Sequence, residues 1–181
     1  MPAEATLRYT VAGLTVQDAG SLIEVLQQRL HGLNDLHLTL KHVHWNVVGP
    51  HFIAVHEMLD PQLDRVRAMA DDIAERLAAL GGIAHGTPGV LVEERTWKDY
   101  SVDRADAIAR LGALDLVYTG LIEDLRAAVK TVGEIDPATE DLLVEQLRGL
   151  EQFQWFVRAR LETAGGTLTT ADATTETEVA Q

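Results

Sequence analysis

Lys41-His42-Val43-His44-Trp45-Asn46-Val47-Val48-Gly49-Pro50, Phe52-Ile53-Ala54-Val55-His56-Glu57-Met58-Leu59-Asp60 and Asp71-Asp72-Ile73-Ala74-Glu75-Arg76 decide how this chain folds and what it holds. After the Gly49-Pro50 break, the pattern predicts one long helix over residues 53–80. At about 100° per residue, positions 56, 60, 71 and 75 fall within an arc of about 100°. His56, Asp60, Asp71 and Glu75 therefore share one face, and His44 joins them from the end of the preceding helix. Imidazole mixed with carboxylate suits iron or zinc better than magnesium or calcium.

Axial distance divides the four into two pairs. Asp60 and Asp71 are separated by roughly 16 Å of helical rise, whereas a metal–ligand bond is only about 2.0–2.2 Å long. One chain cannot close both ends on one ion. A second copy lying antiparallel across a twofold axis can, with His56 and Asp60 of one chain facing Asp71 and Glu75 of the other. Taken singly, each carboxylate reads as part of a solvated face and each histidine as a satisfied core or interface residue. Five residues sharing one consistent geometry favour a metal site.

Outside these stretches the chain reads as helical throughout. Thr15-Val16-Gln17-Asp18 forms a capping box opening a helix that runs to about Val48. Its apolar stripe is Ile23, Leu26, Leu30, Leu33, Leu40 and Val47, with His37 and His44 on the same face. His37 reads as a buried or interface histidine rather than a ligand. His42 and His44 diverge by about 200° and cannot chelate one ion. Residues 81–101 form a Gly- and Pro-containing connection with a short helix from Val90 to Trp97. Ser101 is expected to cap a third long helix, whose core face is Ile108, Leu111, Leu114, Tyr118, Leu121, Leu125 and Val129 and which Gly133 stops. Asp136-Pro137 opens a fourth helix in Ncap-then-Pro order. Leu143, Leu147, Leu150, Phe153, Val157 and Leu161 line its core side, and Gly165-Gly166 ends it. The expectation is an all-α four-helix bundle with a short helix in the long connection between helices 2 and 3. It spans residues 15–166, between an N-terminal extension (1–14) and an acidic, disordered C-terminal tail (167–181).

The chain has 181 residues, is 46% hydrophobic and carries a net charge of −13. It has only three lysines, Lys41, Lys98 and Lys130, no basic side chain but Arg8 before residue 29, and none after Arg160. Nucleic-acid binding relies on lysine and arginine neutralising phosphates, so DNA binding through these tails is not expected. With no cysteine, disulfides and thiolate ligands are excluded. No apolar run approaches a membrane span and no secretory signal precedes the first helix, which makes the cytoplasm the default location.

The three stretches, with the late Phe153-Gln154-Trp155-Phe156, resemble the Dps-type mini-ferritins over roughly residues 15–165. The resemblance implies that His44, His56, Asp60, Asp71 and Glu75 form a ferroxidase centre at a dimer interface, with Asp60 either a ligand or an acceptor orienting a histidine. It implies a hollow shell of twelve subunits that oxidises Fe2+ to Fe3+ with hydrogen peroxide, stores the product and so limits oxidative damage. Zn2+ would be accepted by the same ligands. Trp45 would intercept oxidising equivalents, and Asp141, with Asp136 and Glu140, would line a pore admitting iron. Two features depart from the wider pattern. The basic tails of DNA-binding relatives are missing, and there is no Glu-x-x-His pair of the kind that builds di-iron sites inside a single bundle. Nucleoid compaction and metal-dependent hydrolysis are the competing readings; the first lacks basic tails and the second lacks a nucleophile or pocket motif.

Overall fold

The computed structural model describes residue 7 and residues 9–179. The first long helix, α1 (Val16–Asn46), starts where the sequence places it: the Thr15 hydroxyl accepts from Asp18 N at 3.0 Å. It ends two residues earlier than expected, because Val47 and Val48 turn extended as strand β1. These two residues pair in parallel with Ala105 and Asp106, strand β2. Helix α2 (Phe52–Ala79) follows and runs unbroken through Pro61. Pro61 lacks the N–H that would bond Glu57 O; both residues lie on the exposed face, where water can serve that carbonyl.

The long connection holds α3 (Pro88–Glu94), starting and ending before the predicted Val90–Trp97. Ser101 does not cap the next helix. That helix, α4 (Ala107–Gly133), is capped by Asp106, whose side chain accepts from Ala109 N at 3.0 Å. The β1–β2 pairing sets Asp106 in the extended backbone that a cap requires, a constraint local propensity cannot reveal. Within the predicted α4 face, Leu111, Leu114, Tyr118 and Leu125 are buried, Leu121 and Val129 are half-buried, and Ile108 is exposed.

Helix α5 (Pro137–Leu161) opens on Asp136 as predicted and buries all six expected core residues, but ends before Gly165-Gly166. α1 packs along α2 and α4 along α5. Leucines from all four helices meet in one core. Polar bonds join the two pairs inside it: Tyr118 Oη donates to Gln62 Oε1 at 2.7 Å, and Gln146 Nε2 to Met69 O at 3.0 Å.

Neither end of the chain behaves as a detached tail over the described residues. Leu7, Val11 and Leu14 pack on the core. The Tyr9 carbonyl lies so close to Gly81 (φ +94°) that a Cβ there would sit 2.2 Å from it. The C-terminal segment, expected to be disordered, folds back along the bundle. Thr169 N donates to Leu161 O at 2.9 Å. A last short helix, α6 (Glu176–Val179), lies on α4, where Thr170 and Val179 close over Gly112. Small side chains such as threonine and alanine, which compose a low-hydrophobicity tail, are also what fits beside a glycine.

Asp136 joins the end of α2 to the start of α5. Its carboxylate caps Thr139 N at 3.0 Å and accepts from Arg76 Nη2 at 2.5 Å. Burial alone would raise its pKa; the bonds from Thr139 and Arg76 outweigh that and hold it below the usual carboxylate range. Asp136→Ala is expected to lower stability by roughly 1–3 kcal/mol, read from urea unfolding. Because the folded-state pKa is depressed, the ionic contribution is present above the unfolded value of about 3.9 and disappears as pH falls through the folded one. The stability gap between wild type and Asp136→Asn should therefore narrow as pH drops below about 4; a gap constant with pH would show that the ion pair contributes nothing.

Candidate metal centre

The end of α1 and the first turns of α2 bring His44 and His56 together. Their rings stack with centroids 3.6 Å apart and planes inclined by 25°. His44 Nδ1 lies 3.1 Å from His56 O, and His56 Nδ1 lies 3.0 Å from His44 O. A nitrogen facing a carbonyl must donate, so both rings carry their proton on Nδ1 and both Nε2 atoms keep a free lone pair. That is the state in which a histidine ligates a metal, its second nitrogen anchored by an oxygen acceptor. The local sequence explains the exchange. His44 O is one of the last carbonyls of α1, which have no partner within the helix, and the five-residue corner containing Gly49 (φ +95°) folds His56 back onto it.

His44 is buried at 7% exposure and His56 is half-buried. Burial, then the neighbouring His56 and Lys41, lower the His44 pKa against the opposing pull of Asp60. The imidazole is thereby kept neutral and available to a cation. Asp60 Oδ1 lies 3.4 Å from His44 Nδ1, on the side of the ring away from the free lone pair.

Asp71 and Glu75 lie exposed farther along α2. Asp71 borders a cavity of about 710 Å³ between α1 and α2 that also takes in Asn34, His37, Asp64 and Arg67. Among the described residues, no three His, Asp or Glu side chains converge to hold an ion. The chain presents two half-sets on one face of α2, the histidines at one end and two carboxylates at the other.

Several placements differ from the sequence reading or extend it. Trp45 and Trp155, which packing within the chain would explain, are 69% and 62% exposed. The Trp45 ring has Lys41 Nζ 5.9 Å from its centroid. Of the three pore candidates, Asp141 is exposed and Glu140 half-buried, whereas Asp136 is buried with its carboxylate engaged by Thr139 and Arg76. The i, i+3 spacing of Lys41 and His44 is the sequence signal for the charge that helps lower the His44 pKa. Leu38, Phe52 and Ile53 are exposed apolar residues close in sequence to the ligands, with the Phe52 ring 5.4 Å from His56. Their sequence signal was a hydrophobic residue falling outside the core stripe.

The ferritin-like domain family matches residues 23–165. A DNA protection during starvation protein of Mycolicibacterium smegmatis is 54% identical over 168 residues, spanning 93% of this chain and 92% of that protein. Among solved structures, DpsA14 from Streptomyces coelicolor superposes with a TM-score of 0.89 at 74% identity, covering 90% of this chain and 97% of that one. Mycobacterium smegmatis Dps superposes with a TM-score of 0.91 at 53% identity, covering 92% and 95%.

The neutral His44 gives a pH signature. Cobalt(II), a spectroscopic probe for nitrogen and oxygen ligands, should keep its bound visible absorption until the pH falls below the ordinary imidazole range, near 6.5. The same midpoint in His44→Ala would mean that His44 is not a ligand.

Proposed function

Because this chain belongs to the ferritin-like family and is a Dps-type protein, we propose that it oxidises ferrous iron at intersubunit centres and stores the ferric product. The observation that carries this reading is the anchored His44–His56 pair, both Nε2 atoms free, with its carboxylate complement out of reach on the same helix face. Two chains related by a twofold axis set His44, His56 and Asp60 of one against Asp71 and Glu75 of the other, giving two equal centres per dimer. Iron is the substrate. Two ferrous ions each give one electron to hydrogen peroxide, the O–O bond breaks, and hydrolysis of the ferric ions releases protons and leaves oxyhydroxide. Neutral imidazoles suit the ferrous ion, anionic carboxylates favour the higher charge of the ferric state, and Zn2+ competes for the same ligands.

The family shell of twelve subunits gives the mineral a compartment, and Asp141 with Glu140 lines the access pore, where like charges repeated by symmetry attract cations. Trp45, beside His44 in sequence, is placed to give up an electron when oxidation goes astray. The family's protection of DNA is then chemical in this chain, by removal of iron and peroxide together. Its net charge of −13 disfavours the phosphate contacts that binding would need. Among the described residues no helix is long and apolar enough to cross a membrane, and we assign the protein to the cytoplasm.

Anaerobic Fe(II) titration followed by a peroxide pulse tests the chemistry: the His44→Ala/His56→Ala variant should assemble yet oxidise iron at least about tenfold more slowly. Subunit mixing tests the geometry. Neither that variant nor Asp71→Asn/Glu75→Gln is active alone, but co-assembled chains rebuild one whole centre in each mixed dimer. Random pairing at equal amounts restores about one quarter of wild-type centres; no recovery would place the centre within one chain. Separately, Asp141→Asn should slow iron uptake into the shell while leaving Co(II) affinity at the centre unchanged; an unchanged uptake rate would remove Asp141 from the access route.

A further inference from the structure

Arg110 on α4 is 0% exposed, and its charge is unmatched. Other arginines that are buried or half-buried each face a carboxylate: Arg29 pairs with Asp124, Arg76 with Asp136, Arg95 with Asp99 and Arg158 with Asp115. Arg110 has only the Val102 carbonyl, to which Nη1 donates at 2.6 Å. That carbonyl already accepts from His42 Nε2 at 3.2 Å. Among the described residues, Nε and Nη2 of Arg110 have no hydrogen-bond partner, and the buried hydroxyl of Tyr100 has only the Arg110 guanidinium beside it, with the ring 5.9 Å from the guanidinium carbon.

The two vacant nitrogens are not an arbitrary pair. Nε and Nη2 form the side-on edge of the guanidinium, whose parallel N–H bonds match two oxygens of one planar or tetrahedral oxyanion. Tyr100 adds a third donor. Burial, the larger effect, pushes its phenol up to about 12 against the pull of Arg110, so it keeps its proton. A buried cation ringed by donors and lacking an acceptor is costly, and an ion is a recognised resolution of such a group.

We propose that the Nε/Nη2 edge of Arg110, together with the Tyr100 hydroxyl, seats a small oxyanion of the phosphate or carboxylate class beneath the C-terminal segment. Ser101, next in sequence to Tyr100, donates through N and Oγ to Glu176 of α6 at 2.6 and 2.7 Å. Ser101 and Glu176 both border a cavity of about 800 Å³ between α1 and α4, with Trp97 and Lys98 at its side. Glu176 is itself the nearby carboxylate that could turn onto the fork, so the source of the oxyanion is the question for experiment.

The test is calorimetric titration of the iron-free, full-length assembly with inorganic phosphate, at ionic strength held constant with sodium chloride. Wild type should bind one phosphate per chain saturably, with a matching rise in melting temperature. Arg110→Lys keeps the charge without the fork and should abolish binding. Tyr100→Phe keeps the ring and should weaken it by roughly tenfold, which preserves the test if the lysine variant folds poorly. Glu176→Gln should bind at least as tightly as wild type. Phosphate binding seen in Glu176→Gln alone would make Glu176 the occupant and overturn the free-oxyanion site. No binding in any variant would leave water as the partner, and equal affinity in wild type, Arg110→Lys and Tyr100→Phe would put the phosphate elsewhere; either result overturns the proposal.

Discussion

The paired bonds at the α1–α2 corner, His44 Nδ1 to His56 O and His56 Nδ1 to His44 O, organise the histidine half of the proposed metal centre. They satisfy a carbonyl at the end of α1, lock both rings in one tautomer, and hold them stacked before any ion arrives. Without the anchors each ring could turn either nitrogen outward, and binding would have to order two side chains first. Two further ties hold the corner. Gly49 takes a backbone conformation that other residues resist, and the Val47–Val48 pairing with Ala105–Asp106 fastens it to the start of α4. The donor half of the centre is therefore a property of the folded single chain.

The acceptor half is not, and this links chemistry to assembly. Helical rise holds Asp71 and Glu75 too far along α2 to reach the histidines, whatever their rotamers. Around the histidine end, Leu38, Trp45, Phe52 and Ile53 are exposed, an apolar set whose covering is favourable. Burying those side chains against a second copy is the same event that would bring the missing carboxylates to the histidines. Lys41 strengthens the coupling. Its charge helps keep His44 unprotonated, and near a partner's carboxylates it would also oppose an excess of negative charge.

Period and spacing made most of this legible beforehand. The 3.6-residue stripe located the four long helices, and capping chemistry found the starts of α1 and α5, because Thr15 and Asp136 bond to amides two or three residues away. The start of α4 escaped the same logic. Ser101 has the right side chain, but a parallel strand pairing to residues nearly sixty positions earlier promotes Asp106 instead. The Arg76 partner of the Asp136 carboxylate, which comes from another helix, is likewise invisible to a capping pattern. The C-terminal segment reads as disordered by composition, and its docking depends on a glycine in α4 that no local window associates with it. Each miss involves partners far apart in sequence; each success rests on residues within about one helical turn.

Charge decides how such a protein could protect DNA. In the proposed shell, a chain at −13 repeated by symmetry would set up a field that draws in cations and repels a polyanion. Both effects follow from the same carboxylates, so a variant with basic ends would gain DNA contact at the cost of the field that gathers its metal substrate. The docked C-terminal segment points the same way. Its acidic residues are partly engaged on the bundle, Glu176 with Ser101 and Glu178 with Thr174 and Thr175, rather than extended to meet a partner. The geometry at His44 and His56 and the sign of the net charge are what the proposed mode of action rests on, in which the damaging reagents are consumed away from the nucleic acid.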